Sequence, residues 1–164
     1  MNQQLILASE SPHKKNILKR LGLPFLTAAP YIDETPTQAE SARALTIRLA
    51  GAKAQKIFTQ YPGAYVISTD QSADCAGEIL GKPLSKDRAV DMLHKLSGRD
   101  VSFFTTVGFC APGMPLIVHT EEVIVSIREL SHAEIMRYID SDVPLDCAGS
   151  FKVERLGISL FRSV

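Results

Sequence analysis

The sequence predicts an α/β fold in a single domain. Three observations carry that expectation. A continuous apolar run, Leu5-Ile6-Leu7-Ala8, stops at a polar Ser-Glu-Ser-Pro turn; β-branched segments alternate with amphipathic ones; and 164 residues at 45% hydrophobic content suffice for one substantial core.

Each element follows in order. The Leu5–Ala8 run lacks helical spacing and reads as a strand covered on both faces. Ser11-Pro12 is a helix start, and Ile17, Leu18 and Leu21 are expected to share a face until Gly22 closes that helix. A short strand near Phe25–Ala28 precedes a polar loop, 29–38, punctuated by Pro30 and Pro36. Ala42, Leu45, Leu49, Ala52 and Ile57 then define a long amphipathic helix that ends at Tyr61-Pro62-Gly63. The segment 65–69 reads as a second central strand with Asp70 just past its end. Gly77 and Gly81 mark a hairpin-like excursion, and Ser85 caps a helix ended by Gly98. Val101–Cys110 and Ile117–Ile127 are two long strands, Ser131 to Glu134 is a capping box, and Phe151–Phe161 is expected as one or two strands. No repeat, low-complexity stretch or linker divides the chain.

Lys plus Arg and Asp plus Glu are both 18, so no global field draws the chain to nucleic acid or anionic membrane. An anion site has to be built locally. Cys75, Cys110 and Cys147 fall in no metal or redox spacing and read as reduced thiols. The N-terminus lacks a signal-peptide pattern and no apolar stretch reaches membrane-span length, so a cytoplasmic protein is expected.

Chemistry gathers in a few segments. LASESPHKK runs a strand into a helix N-terminus with Lys14 and Lys15 in the first turn, where unpaired N–H groups, hydroxyls and ammonium groups suit a phosphate. Asp33-Glu34 lies in the polar loop, and Asp70 sits where ligands bind in α/β sheets. Glu34 and Asp70 could together hold a hard cation, and Asp70 could deprotonate water. Lys53 and Lys82 add the positive charge that triphosphate chemistry demands. Taken singly, each of these residues reads as well as a turn cap or a solvated lysine.

Taken together, LASESP, DET at 33–35, RLAGAKA at 48–54, STDQ at 68–71, GKPLS at 81–85 and LSG at 96–98 resemble the Maf-like pyrophosphatases in order and spacing. CAGSFKVE at 147–154 resembles the branch that acts on 7-methyl-GTP. The resemblance implies a Maf/ITPase-like fold, with a central mixed twisted β-sheet flanked by helices and a deep cleft. It also implies release of monophosphate and pyrophosphate from a nucleoside triphosphate, with a divalent metal, Mg²⁺ or Mn²⁺. By position, Asp70 matches the proton acceptor and a metal ligand, and Glu34 the second metal acid. Ser9, Lys14, Lys53 and Lys82 match phosphate-binding positions, while His13, Gln71 and Glu154 match the positions that distinguish bases. Glu154 has a physical rationale, since N7-methylation leaves the guanine ring positively charged and an anionic partner selects it.

Three departures accompany the match. Lys14-Lys15 replaces an arginine pair and loses its planar fork. Arg155 replaces a glycine, so the backbone or the mouth of the base pocket is expected to differ. The chain ends at Val164, where the family continues through a loop and a closing helix, so exposed apolar surface is expected, and with it poor stability, compensation by dimerisation, or a truncated product of reduced activity. The substrates kept open are 7-methyl-GTP first, then dTTP, UTP or another noncanonical nucleotide. A non-catalytic nucleotide-binding regulator of cell division is a further alternative. No nucleic acid or membrane partner is expected, and a homodimer is left open.

Overall fold

Ile6, Leu7 and Ala8 are almost wholly buried, as the unbroken apolar run requires of a strand with neighbours on both sides. The computed structural model describes residues 4–164. In chain order the elements are β1 (Leu5–Leu7), α1 (Pro12–Lys19), β2 (Leu26–Thr27), α2 (Ala42–Gln60), β3 (Tyr65–Cys75), β4 (Glu78–Leu80), α3 (Lys86–Leu96), β5 (Asp100–Cys110), β6 (Ile117–Ile127), α4 (His132–Asp142) and β7 (Phe161–Ser163). The sheet is mixed, ordered β2-β1-β3-β5-β6-β7 with β4 added beside β3. The chain gathers into two compact units, one built from the chain up to Gln71 with Thr105–Glu121, the other from Ser72–Phe104 with Glu122–Val164.

In the first unit β1 pairs in parallel with both β2 and β3, through Ile6↔Leu26 on one side and Ile6↔Val66 on the other. Ser41 caps α2 by accepting from the Ala44 N–H, and Leu45, Leu49, Ala54 and Ile57 form its buried stripe. Ile6, Ala54, Ile57, Val66 and Cys110 make the core of this unit. Helix and strands approach closely at one point. A Cβ on Gly108 would stand 2.6 Å from Ser68 Oγ and 2.8 Å from the Ala50 carbonyl oxygen, and the Ser68 hydroxyl donates to that same carbonyl at 2.6 Å.

The second unit has its own core, around Leu93, Leu96, Val101, Ile127, Ile135 and Phe151. Ala76 and Gly77 both take positive φ, 53° and 86°, in the tight turn between β3 and β4. Ser85 caps α3, and the capping box of α4 is complete, with Ser131 and Glu134 satisfying each other's backbone N–H groups. Phe151 packs edge-on against Phe103 and Phe161, with ring centroids 5.5 and 5.2 Å apart.

Three expectations are corrected. Strand β3 continues to Cys75, so Asp70 lies inside it; its pairing with β1 stops at Ile67 and that with β4 starts at Ala73, so Asp70 falls between the two. Helix α1 ends at Lys19 and buries no side chain, because Leu21 falls beyond its last turn and Ile17 faces solvent. The segment 151–160 is not a strand: Leu156–Leu160 is a 3₁₀ turn and only Phe161–Ser163 extends. Gly157 accounts for this, since it presses on the Lys152 backbone, where a Cβ would meet the carbonyl oxygen at 2.4 Å. Cys75, Cys110 and Cys147 are free thiols, and burial pushes Cys147 up to about 11. Among the described residues no helix is long and apolar enough to cross a membrane.

Gly108→Ala is expected to cost about 1–3 kcal/mol of unfolding free energy, the usual cost of overpacking, as measured by urea denaturation. The Ser131 hydrogen bonds, aided by Arg128, lower the Glu134 carboxyl from 4.5 to about 2. A carboxyl lowered on folding adds stability that is complete above its unfolded pKa and disappears as pH falls. The contribution of Glu134 is therefore lost between pH 4.5 and about 2. Glu134→Gln should flatten the pH dependence of the thermal midpoint in that window and leave the slope above it unchanged.

Candidate active site

The first unit brings four of the expected residues together. Lys53 projects from the buried side of α2, and its ammonium lies 2.6 Å from Asp70 Oδ1 on β3 and 2.8 Å from Glu34 Oε1 in the 29–41 loop. Lys53 and Asp70 are only 5% and 7% exposed, whereas the Glu34 side chain is 58% exposed. Burial alone would lower the Lys53 pKa, but the hydrogen bonds to Asp70 and Glu34 and their charges outweigh it, leaving a net rise above the ordinary lysine value. Beside this cluster is a cavity of about 400 Å³, lined by Ser9, Glu10, Tyr31, Asp33, Glu34 and Lys53.

Local chemistry sets each position. Ser9, buried just past β1, accepts from the Ser11 N–H at 3.2 Å, while Ser11 itself makes no side-chain cap on α1. Lys14 donates to the Thr69 carbonyl at 2.6 Å, which moors α1 to β3 next to Asp70. Asp33 accepts from the Thr35 N–H, a local turn that turns the loop back at Glu34. Arg48 of α2 then grips that loop, with a two-point pair to Glu40 at 2.8 and 2.9 Å and a bond to the Thr35 carbonyl at 3.0 Å. Arg48, with the Thr37 N–H, lowers the Glu40 carboxyl to about 2.

His13 is exposed in the first turn of α1. Gln71 is exposed and donates to the Thr105 hydroxyl at 2.9 Å. Lys82 and Glu154 belong to the second unit; Lys82 lines a cavity of about 540 Å³, and Glu154 is exposed in the turn before Leu156. Sequence reasoning did not single out Arg48, although RLAGAKA contains it, because its partners Thr35 and Glu40 lie in a loop. It also passed over Tyr31, which is 85% exposed at the cavity with a positive φ of 40° and has no signal in the local pattern.

The sequence matches the Maf-like protein family over residues 4–164. The chain belongs to that family. This Maf-like protein is 46% identical over 165 residues to the 7-methyl-GTP pyrophosphatase of Xanthomonas oryzae pv. oryzae, across 100% of this chain and 85% of the relative. To the 7-methyl-GTP pyrophosphatase of Pseudomonas aeruginosa it is 45% identical over 160 residues, across 97% and 83% of the two chains. Its fold is similar to that of the Staphylococcus aureus Ham1 protein, with a TM-score of 0.56 at 17% identity over 94% and 90% of the chains. At that identity the likeness carries the fold alone, and it agrees with the ITPase-like architecture.

The donor set of the Maf-like cluster suits a hard cation. Glu34 and Asp70 already converge on one positive centre, the Lys53 ammonium. Among the described residues no group of three or more His, Cys, Asp or Glu is placed to hold a metal ion. Two carboxylates with open positions fit Mg²⁺ or Mn²⁺, since Mg²⁺ usually takes one or two carboxylates and fills the rest of its shell with water and phosphate oxygens.

Lys53→Met should leave Asp70 buried without its counter-ion and cost about 3 kcal/mol, at the low end for a broken buried pair because Glu34 is solvated. Adding Asp70→Asn to Lys53→Met should recover part of that loss. Additive single-variant effects in the chemical-denaturation cycle would show that the two groups are not coupled.

Proposed function

We propose that the chain hydrolyses 7-methyl-GTP at the α–β phosphoanhydride, giving 7-methyl-GMP and pyrophosphate. The observation that carries this reading is the buried Lys53–Asp70 pair joined by the half-exposed Glu34 beside the Ser9 cavity, in a chain 45–46% identical to relatives named for that substrate.

Asp70 accepts a proton from water as the water oxygen bonds to phosphorus, the anhydride bond breaks, and the electron pair leaves on pyrophosphate. Lys53 holds the Asp70 carboxylate in place and offsets its charge, so that a polyanionic substrate can approach. The Ser9 hydroxyl and the Lys14 and Lys82 ammonium groups bind phosphate oxygens. A divalent cation held by Glu34 and Asp70 would supply Lewis-acid neutralisation of the phosphate oxygens. Glu154 pairs with the positive charge of the methylated ring, and His13 and Gln71 contribute to base selection. The free thiols of all three cysteines support a cytoplasmic site of action, where nucleotide pools lie.

The test is release of pyrophosphate from 7-methyl-GTP, GTP, dTTP, UTP and CTP with and without Mg²⁺. Asp70→Asn is expected to slow turnover by about 10²–10⁴-fold, the usual contribution of a general base, while the protein stays folded by circular dichroism. Full activity in that variant would sink the assignment. Glu154→Gln should reduce the preference for 7-methyl-GTP over GTP roughly ten- to a hundredfold, equivalent to the ~1.5–3 kcal/mol of a hydrogen bond to a charged group. Equal rates for both nucleotides in the unaltered chain would overturn the substrate reading and leave the reaction class standing.

A further inference from the structure

Glu154 is flanked by two cations, Lys152 and Arg155, either of which could neutralise it. Neither does. Among the described residues the Glu154 carboxylate makes no hydrogen bond and no ion pair, because both neighbours are committed to the C-terminal end of α4.

Lys152 directs its ammonium at the Asp142 and Val143 carbonyls, 3.4 and 3.2 Å away, and at Asp146 Oδ1, 3.4 Å away. Those carbonyls carry the negative end of the helix dipole, a natural partner for an ammonium. Arg155 places Nε 2.9 Å from Asp142 Oδ1. The Asp142 side chain is completely buried, whereas that of Arg155 is 58% exposed. The contact is an ion pair without hydrogen-bond alignment, and neither Asp142 oxygen accepts a hydrogen bond. Asp142 therefore has Arg155 as its counter-charge, with the Tyr138 hydroxyl also close to its carboxylate, and a buried acid with one counter-charge makes the pair costly to break. The turn has independent support. The Lys152 N–H donates to the Tyr138 hydroxyl at 3.0 Å, the Lys152 carbonyl accepts from Arg155 N and Gly157 N at 3.1 and 3.0 Å, and Gly157 packs on that backbone.

We infer that Asp142 is a specificity-determining residue acting through Arg155: it holds the guanidinium away from Glu154 and so keeps that carboxylate open to a cationic base. The inference rests on the proposed role of Glu154 in recognising the methylated ring. It gives a use to an otherwise unexplained buried acid, and to the arginine that stands where the resemblance expects a glycine. A glycine there would need no such sink. With arginine present, an unoccupied guanidinium beside Glu154 would compete with the substrate's own positive charge.

The experiment compares kcat/KM for 7-methyl-GTP and GTP in the unaltered chain and in Asp142→Asn, Arg155→Ala and the double variant, all checked for folding by thermal unfolding. Asp142→Asn frees Arg155 and should lower the 7-methyl-GTP preference about fivefold, the scale of an exposed ion pair, through KM for the methylated substrate while kcat on GTP holds. Arg155→Ala should keep the preference, and the double variant should restore it to within about twofold, because no competing cation remains. A merely structural role for the pair predicts no such restoration. Unchanged preference in folded Asp142→Asn, or failure of the double variant to restore it, overturns the inference. Where Asp142→Asn does not fold, Arg155→Ala decides: retained preference supports the inference and lost preference overturns it. Absence of any preference in the unaltered chain, or its survival in Glu154→Gln, instead marks failure of the substrate reading.

Discussion

The buried ammonium of Lys53 constrains the first unit more than any other group. A lysine that is 5% exposed is tolerable only when its charge is met, and Asp70 and Glu34 meet it at 2.6 and 2.8 Å. Those contacts join helix α2, strand β3 and the 29–41 loop at one point. The backbone has to bring α2 close enough for the reach, and it does so where Gly108 and Ser68 meet the Ala50 carbonyl with no room for another methyl group. The small residue and the short hydroxyl are thus part of the electrostatic design, because distance decides whether a buried pair offsets its desolvation.

Glu34 shows how a loop residue is held to the same tolerance. Its side chain is half solvated, and a loop alone would leave it mobile. Arg48 corrects this by binding Glu40 at two points and the Thr35 carbonyl at a third, while the Asp33 turn folds the chain between them. The planar guanidinium suits such multiple anchoring, and lysine would not replace it. Helix α2 therefore supplies both the buried cation and the clamp, five residues apart in RLAGAK.

Much of the fold was legible because its signals are local. Ser85 and Ser131 each start a helix by capping it, as their local pattern predicts, and the two long strands on either side of Pro112-Gly113 emerge where the β-branched pattern puts them. The misses have non-local causes. Strand β3 outruns Asp70 because β4 returns beside its second half, a pairing that no window around Asp70 contains. The segment 151–160 has strand-like composition but is turned by the Gly157 approach to Lys152, a tertiary contact. Helix α1 carries apolar residues at helical spacing and still buries none, since periodicity states which side chains could share a face and not whether anything covers it. For the site, motif order picked out Lys53, Glu34 and Asp70 one by one, yet that the lysine would lie between the acids depends on three separate elements.

The two acids of greatest interest differ in how their neighbours treat them. Asp70 is buried and has a cation directly on it, so its charge is compensated inside the protein and its carboxylate is fixed. Glu154 is exposed, and the two cations near it in sequence, Lys152 and Arg155, are drawn off to the end of α4. An acid that must stay in place at a polyanion site benefits from a permanent counter-ion. An acid whose task is to meet a positive ligand is weakened by one, because every internal cation has to be displaced before the ligand gains the interaction. Placing Arg155 next to such an acid would be a defect unless something held it elsewhere. The buried, hydrogen-bond-poor carboxylate of Asp142 is suited to that role, since its own cost of isolation keeps the guanidinium in place.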